Sequence, residues 1–387
     1  MWYFVSPEIV FGEDALSRLD DLDAHRALIV CGKTVSRMGF VDIVKGHLNR
    51  PGIECQVFGE IEPEPTIATV MKGANKAQEY LPDLIIGLGG GSSIDAAKAI
   101  WVIYERPDIQ LQGITPFESL GLRKKARLVA IPTTSGTGSE ANSNLVISDE
   151  SEQRKLGLAN REIYPDIAIV DHIFTSGMPP QLVADSGMDA MTHAIEGYTS
   201  QCRNHFSDGL CLKAIQLVFS YLLRSYHNRD DQEAREKMHI AASIAGLGFG
   251  NSMLGIAHGM GHSLGSAFHV PHGRAVGMFL PYTVEFNGTC TDYLYSEIAG
   301  VLKLRAANET EAVVNLAEAI RRLAKDLKQP LTIQELGIPY TDFIDSLPTL
   351  VSNADTDTST VMSARIPTSN EFEMLFRYVY AGKNIDF

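Results

Sequence analysis

The sequence predicts an α/β domain on a mostly parallel sheet over residues 1–178, followed by an all-helical domain over 179–387. Three observations carry this. Short apolar runs alternate with amphipathic stretches through the first half, the strand signals fade beyond Met178, and a double proline, Pro179-Pro180, stands at the change. The runs are residues 26–32 (RALIVCG), 55–61 (CQVFGEI), 83–90 (DLIIGLGG), 127–134 (RLVAIPTT) and 166–171 (DIAIVD). Each is short, rich in β-branched residues or Leu, and bounded by Gly, Pro or Asp, as suits strands buried on both faces. Helical patterns such as GFVDIVKGHLNR and TIATVMKGANKAQEYL lie between several of them and suggest βαβ units. From MPPQLVADSGMDAMTHAIEGY onward the helical stretches are SDGLCLKAIQLVFSYLLRSYHN, a long run from Asp231 to Ala267, and ETEAVVNLAEAIRRLAKDLK. The double proline cannot continue a helix or a central strand and marks the domain boundary.

Composition narrows the partners. The 387 residues are 45% hydrophobic and 21% charged, enough apolar material for one large or two ordinary domains of a soluble protein. A net charge of −14, with no dense basic run, argues against nucleic acid. Five cysteines form no CxxC, which points to free thiols in the reducing cytoplasm. The N-terminus carries acidic residues where a signal peptide would have basic ones, and no uninterrupted apolar run reaches the ~18 residues of a membrane span. The apolar start, Trp2 to Val5, is a candidate edge strand for pairing with a second copy in a homodimer or larger homo-oligomer.

Two glycine-rich turns and a histidine cluster carry the chemistry. Gly87-Leu88-Gly89-Gly90-Gly91-Ser92-Ser93 follows an apolar run and precedes a helical pattern, so backbone N–H groups at a helix N-terminus can meet a phosphate. Its spacing is neither GxGxxG nor a P-loop, and glycines also serve ordinary connections. A second turn, Pro132-Thr133-Thr134-Ser135-Gly136-Thr137-Gly138-Ser139-Glu140, interleaves hydroxyls with glycines; it suits a pyrophosphate or simply caps its own backbone. Between residues 258 and 272, HGMGHSLGSAFHVPH holds four of the eleven histidines. His258 and His262 stand four apart, as do Asp189 and His193 upstream, so each pair shares a helix face. A carboxylate converging with imidazoles suits Fe²⁺ or Zn²⁺ without a thiolate. A single helical His is more often a packed or surface residue; the coincidence of two such pairs favours a metal.

Taken together, GGGSSIDAAK, PTTSGTGSE, GMDAMTHAIEGY and HGMGHSLGSAFHVPHG, in this order and at these separations, resemble the iron-containing (group III) alcohol dehydrogenases over nearly the whole chain. AREKMHIAASIAG and FHVPHGRAVG look particularly like the butanol dehydrogenases and the alcohol dehydrogenase half of bifunctional aldehyde-alcohol dehydrogenases. The resemblance implies a dehydroquinate synthase-like dinucleotide-binding domain, a helical metal-binding domain, and an active site in the cleft between them. It places the metal ligands on Asp189, His193, His258 and His272, and His262 near metal and nicotinamide without being a ligand. It places the cofactor loops on Gly89, Gly90, Gly91 and Ser92 and on Thr133, Thr134 and Thr137, with Lys155 a weaker match. His269 is left as structural.

The expected reaction is hydride transfer between a nicotinamide dinucleotide and a short to medium-chain primary alcohol or aldehyde, the metal stabilising charge on the substrate oxygen. His262 is the candidate for proton delivery, since imidazole titrates near working pH. NADP(H) is expected over NAD(H), because relatives that prefer NAD have an acidic residue where this chain has Gly32, and Lys33 and Arg37 offer positive charge. Alternatively Gly32 is only a turn residue and both dinucleotides bind. A glycerol dehydrogenase-like polyol oxidoreductase, a metal-dependent hydrolase and a non-catalytic metal protein are the competing readings. Phe249, Phe268 and Ile147 are guesses for substrate walls, and Trp2 and Trp101 for reporters of bound cofactor.

Overall fold

A computed structural model of the chain describes residues 3–150 and 154–387. Its contacts divide the chain into two compact units, Met1–Met178 and Pro179–Phe387.

The first unit is built on a six-stranded sheet. Its strands are β1 (Glu8–Phe11), β2 (Arg26–Gly32), β3 (Glu54–Ile61), β4 (Leu84–Gly89), β5 (Arg127–Pro132) and, later in the chain, the strand Ile167–Val170. Between β5 and that last strand comes a two-stranded antiparallel hairpin of β6 (Asn144–Asp149) and β7 (Arg154–Ala159), so Ile167–Val170 is β8. The spatial order is β1-β8-β5-β4-β2-β3, and every pairing in this sheet is parallel. Helices α1 (Lys33–Arg37), α2 (Phe40–Asn49), α3 (Ile67–Tyr80) and α4 (Gly91–Glu105) connect the early strands. Alternation along the strands separates two cores. Leu28, Val30 and Ile85 face α3 and α4, while Ala27, Ile29, Leu84, Ile86 and Leu88 face the side covered by α2. Covered on both faces, the strands need no polar alternation, which is why they read as continuous apolar runs.

Three details depart from the sequence reading. The N-terminal edge strand is Glu8–Phe11, paired with β8, while Tyr3–Val5 lie outside any strand; Trp2 falls outside the described residues. Ile147, guessed as a substrate wall, is fully buried in the core beside α4. Trp101 is buried in that core too, its Nε1 donating to the Ala126 carbonyl at 3.0 Å.

The second unit consists of α5 (Pro180–Thr199), α6 (His205–His227), α7 (Gln232–Gly250), α8 (Ile256–Phe268), α9 (His272–Val301), α10 (Glu309–Asp326), α11 (Tyr340–Thr356) and α12 (Ser369–Ala381); among the described residues no strand follows Val170. Pro180 supplies the first turn of α5, where its missing N–H costs nothing. The run from Asp231 to Ala267, read as one helical stretch, is two helices broken at Asn251–Gly255, where Met253 has φ 145°. By length and composition α6 would suffice to cross a membrane. Its stripe Cys211, Ala214, Ile215, Val218 and Leu222 is instead buried within the helical unit.

Candidate functional site

In the helical unit, α5 presents Asp189 and His193 four residues apart, α8 presents His258, and His272 opens α9. Asp189 Oδ1 lies 3.7 Å from His193 Nε2, 3.8 Å from His258 Nε2 and 3.3 Å from His272 Nε2. One potential ligand atom from each residue falls within 4.8 Å of the others. Asp189, His193 and His258 are buried, and Asp189 Oδ1 and His258 Nε2, 3.8 Å apart, have no hydrogen-bond partner. Buried polar atoms are normally paired, so two that face each other without a partner mark a place for a ligand they share. Burial pulls His193 down to about 3 and His258 well below the usual imidazole range, so both are neutral with lone pairs available. One carboxylate and three imidazoles, two of them buried and neutral, are a donor set that could hold a divalent iron or zinc ion.

Residues that motif reading missed hold these side chains in place. Glu196, one more turn along the Asp189–His193 face of α5, lies 2.5 Å from His258 Nδ1 and accepts from the backbone N–H groups of Gly255 (3.0 Å) and Ala257 (2.6 Å). Burial pushes its carboxyl up to about 7 against the pull of those backbone donors. Its spacing to Asp189 was the available signal, but an acidic residue on a helix reads first as solvated. Asp185, one turn before Asp189, receives two hydrogen bonds from Arg274, at 3.1 and 3.0 Å, and one from Gln329 at 2.9 Å. Between His272 and Arg274 stands Gly273, where a Cβ would lie 2.2 Å from the Asp185 carbonyl oxygen. Only glycine lets the start of α9 come that close to α5.

His262 lies one turn after His258, and its ring stacks on that of His272 with centroids 5.2 Å apart. Its Nδ1 is 2.9 Å from Asp357 Oδ2, while Asp357 Oδ1 accepts from the Ser359 N–H at 2.8 Å. Phe249 stacks on His193 at 4.4 Å, whereas Phe268 packs against the helical core. His269 ends α8 in the left-handed conformation, exposed, with φ 54°.

In the first unit the strand order reverses around β2, with β3 on one side and β4 on the other. Ligands of open parallel sheets bind at the carboxyl ends of strands flanking such a switch. There β2 ends at Gly32 and β4 at Gly89, whose φ of 152° is closed to other residues. Gly89 pairs with Pro132 at the end of β5, so the second turn starts beside the first. The two loops touch: a Cβ on Gly90 would lie 3.3 Å from the Thr134 side chain, and one on Gly91 would lie 2.9 Å from that of Thr137. Ser92 Oγ donates to the Pro63 carbonyl. The fully buried Lys98 ties α4 to the second loop, its Nζ reaching Ser139 Oγ at 3.1 Å and the carbonyls of Asn142 (3.0 Å) and Asn144 (2.7 Å). A Cβ at Gly32 would stand 3.0 Å from the Ile61 carbonyl oxygen and 3.8 Å from Ser93 Oγ, with Lys33 and Arg37 exposed nearby on α1. Lys155, on β7, is exposed and pairs with Glu64 at 2.7 Å.

Comparison with known proteins agrees with this arrangement. Residues 6–172 match the family "iron-containing alcohol dehydrogenase", and residues 183–380 match the C-terminal part of the Fe-containing alcohol dehydrogenase family. The chain is 40% identical, over the full length of both proteins, to an NADPH-dependent butanol dehydrogenase of Clostridium saccharobutylicum. It is 36% identical to the bifunctional aldehyde-alcohol dehydrogenase of Escherichia coli, aligning over 99% of its own length and 47% of that longer protein. Among solved structures, the iron-containing alcohol dehydrogenase of Thermococcus thioreducens superposes with a TM-score of 0.90 at 31% identity, covering 99% of this chain and 100% of its own. A 1,3-propanediol oxidoreductase superposes with a TM-score of 0.92 at 29% identity, covering 98% and 100%. The chain belongs to the iron-containing alcohol dehydrogenase family and is an oxidoreductase.

Asp189→Asn keeps the shape of the side chain and removes the negative charge that the surrounding histidines hold well below the usual carboxylate range. The same variant should lose the rise in melting temperature that Fe²⁺ or Zn²⁺ gives the wild type, as checked by thermal unfolding with and without metal.

Proposed function

We propose that the chain interconverts short to medium-chain primary alcohols and aldehydes by hydride transfer with NADP(H), and less well with NAD(H). In this reading Asp189, His193, His258 and His272 hold Fe²⁺, with Zn²⁺ able to use the same donors according to supply. The observation that carries it is the buried, unpartnered Asp189 oxygen facing three imidazole nitrogens. A divalent cation held there supplies positive charge where a substrate oxygen turns from carbonyl to alkoxide.

Residues 1–178 act as the dinucleotide-binding domain and 179–387 as the metal and catalytic domain. Gly89, Gly90, Gly91 and Ser92 present the backbone at the start of α4 to the pyrophosphate, and Thr133, Thr134 and Thr137 add hydroxyls from the adjoining loop. Lys155 reaches the nucleotide by releasing Glu64, an exposed pairing that costs little to break. Gly32 leaves room for a 2′-phosphate, with Lys33 and Arg37 giving it positive charge, and the NADPH dependence of the butanol dehydrogenase relative supports this choice. Donation of the His262 Nδ1–H to Asp357 leaves Nε2 to exchange a proton, on a side chain 37% exposed. Buried thiols at Cys31 and Cys211 suit the reducing cytoplasm we propose as its setting. Pairing through the outer edge of β1 would give a homo-oligomer, and a monomeric mass in solution would remove that element.

Protein reconstituted anaerobically with Fe²⁺ should oxidise NADPH faster than NADH with butanal as acceptor; absence of turnover with both, metal being bound, would refute the reading. Gly32→Asp should shift the preference toward NADH and Gly32→Ala should not, because only the first adds a charge that repels the phosphate. His262→Ala should lower kcat by about 10²-fold and alter its pH profile, the low end of what a lost general acid costs.

A further inference from the structure

Glu196 has no part in the reaction outlined above, yet it is a buried acidic group that joins two of the three helices carrying the proposed ligands. Residues 189, 193 and 196 of α5 fall on one face, and the carboxylate of the last reaches across to the N-terminus of the thirteen-residue α8. Both oxygens are used: Oε1 accepts from Ala257 N at 2.6 Å, and Oε2 accepts from Gly255 N at 3.0 Å and lies 2.5 Å from His258 Nδ1. A carboxylate there takes the proton of Nδ1 as its hydrogen bond and leaves the lone pair on Nε2, the atom that is buried without a partner and faces Asp189. A mere helix cap would need only the two backbone bonds; the third fixes the tautomer and the ring plane of a ligand. The approach is close by construction, since a Cβ on Gly255 would lie 2.9 Å from Glu196 Oε1.

We propose that Glu196 is a positioning residue of the metal site, which sets His258 as an Nε2 donor and thereby governs how tightly the site holds a divalent cation. The proposal rests on the metal reading above. An outer carboxylate on a ligating imidazole typically changes metal affinity by about 10- to 100-fold.

The test uses the full-length chain, stripped of metal and titrated with Co²⁺ against a chromophoric chelator, with the visible Co²⁺ bands recorded and the metal-free melting temperature measured separately. Glu196→Gln keeps the size of the side chain but cannot accept from all three donors. It is expected to weaken Co²⁺ binding by about 10- to 100-fold and to shift the bands. Gly255→Ala, which pushes on the carboxylate while leaving its charge, should act in the same direction and carries the test if the glutamine variant does not fold. Co²⁺ affinity and bands equal to wild type in a folded variant overturn the proposal, even with a lowered melting temperature, because Glu196 would then be a helix cap alone. Failure of the wild type to bind Co²⁺ would instead overturn the metal reading, and this proposal with it.

Discussion

Asp189 Oδ1 is buried without a hydrogen-bond partner among imidazole nitrogens at 3.3 to 3.8 Å, and most of the helical unit is arranged around that fact. A buried carboxylate costs several kcal/mol unless something positive meets it. Burial keeps His193 and His258 from protonating, so those two imidazoles do not meet that charge themselves, and the more exposed His272, 3.3 Å away, is the histidine left to draw the carboxyl down. A fold that carries such a cost at one point, with neutral lone pairs turned toward the same place, is organised for a cation.

The surrounding helices show how the cost is contained. Asp185, Asp189, His193 and Glu196 occupy one side of α5, and its three carboxyl groups engage different parts of the chain: Asp185 meets Arg274 and Gln329, Asp189 the three histidines, and Glu196 the first turn of α8. Small residues allow this density. Gly273 admits the start of α9 to the backbone of α5, and Gly261 lets α8 lie against Val276, whose Cα would be 3.1 Å from an added Cβ. Larger side chains at these points would separate the helices, and donor atoms held on separate helices would no longer converge.

The first unit solves a different problem with the same economy of side chains. Strand order reverses around β2, the kind of switch at which open parallel sheets form a crevice at their strand ends. Glycine at 89, 90 and 91 leaves only backbone at the end of β4, with Thr134 and Thr137 pressed against it from the neighbouring loop. Lys98 ties α4 to the second loop, bound by neutral oxygens in a fully buried position. That burial pulls its ammonium down to about 8, the mark of a group placed for structure at an electrostatic cost.

By itself the sequence determined the features that depend on local pattern. The parallel strands read as apolar runs because both faces are covered, the helical second half read from its periodicity, and the Asp189–His193 and His258–His262 pairs read from spacing four on a helix. Tertiary structure decided what depends on distant partners. The segment from Asp231 to Ala267 is helical throughout by composition, yet it breaks before Gly255, where Glu196 of another helix takes the N–H groups that a continuous helix would have used internally. The N-terminal strand formed at Glu8–Phe11 rather than in the more apolar segment before it, because β8 supplies its register there. The β6–β7 hairpin and the roles of Glu196, Asp185 and Asp357 were illegible for the same reason. An acidic residue or a short polar strand looks solvated in sequence, and only the neighbours brought to it by folding show that it is not.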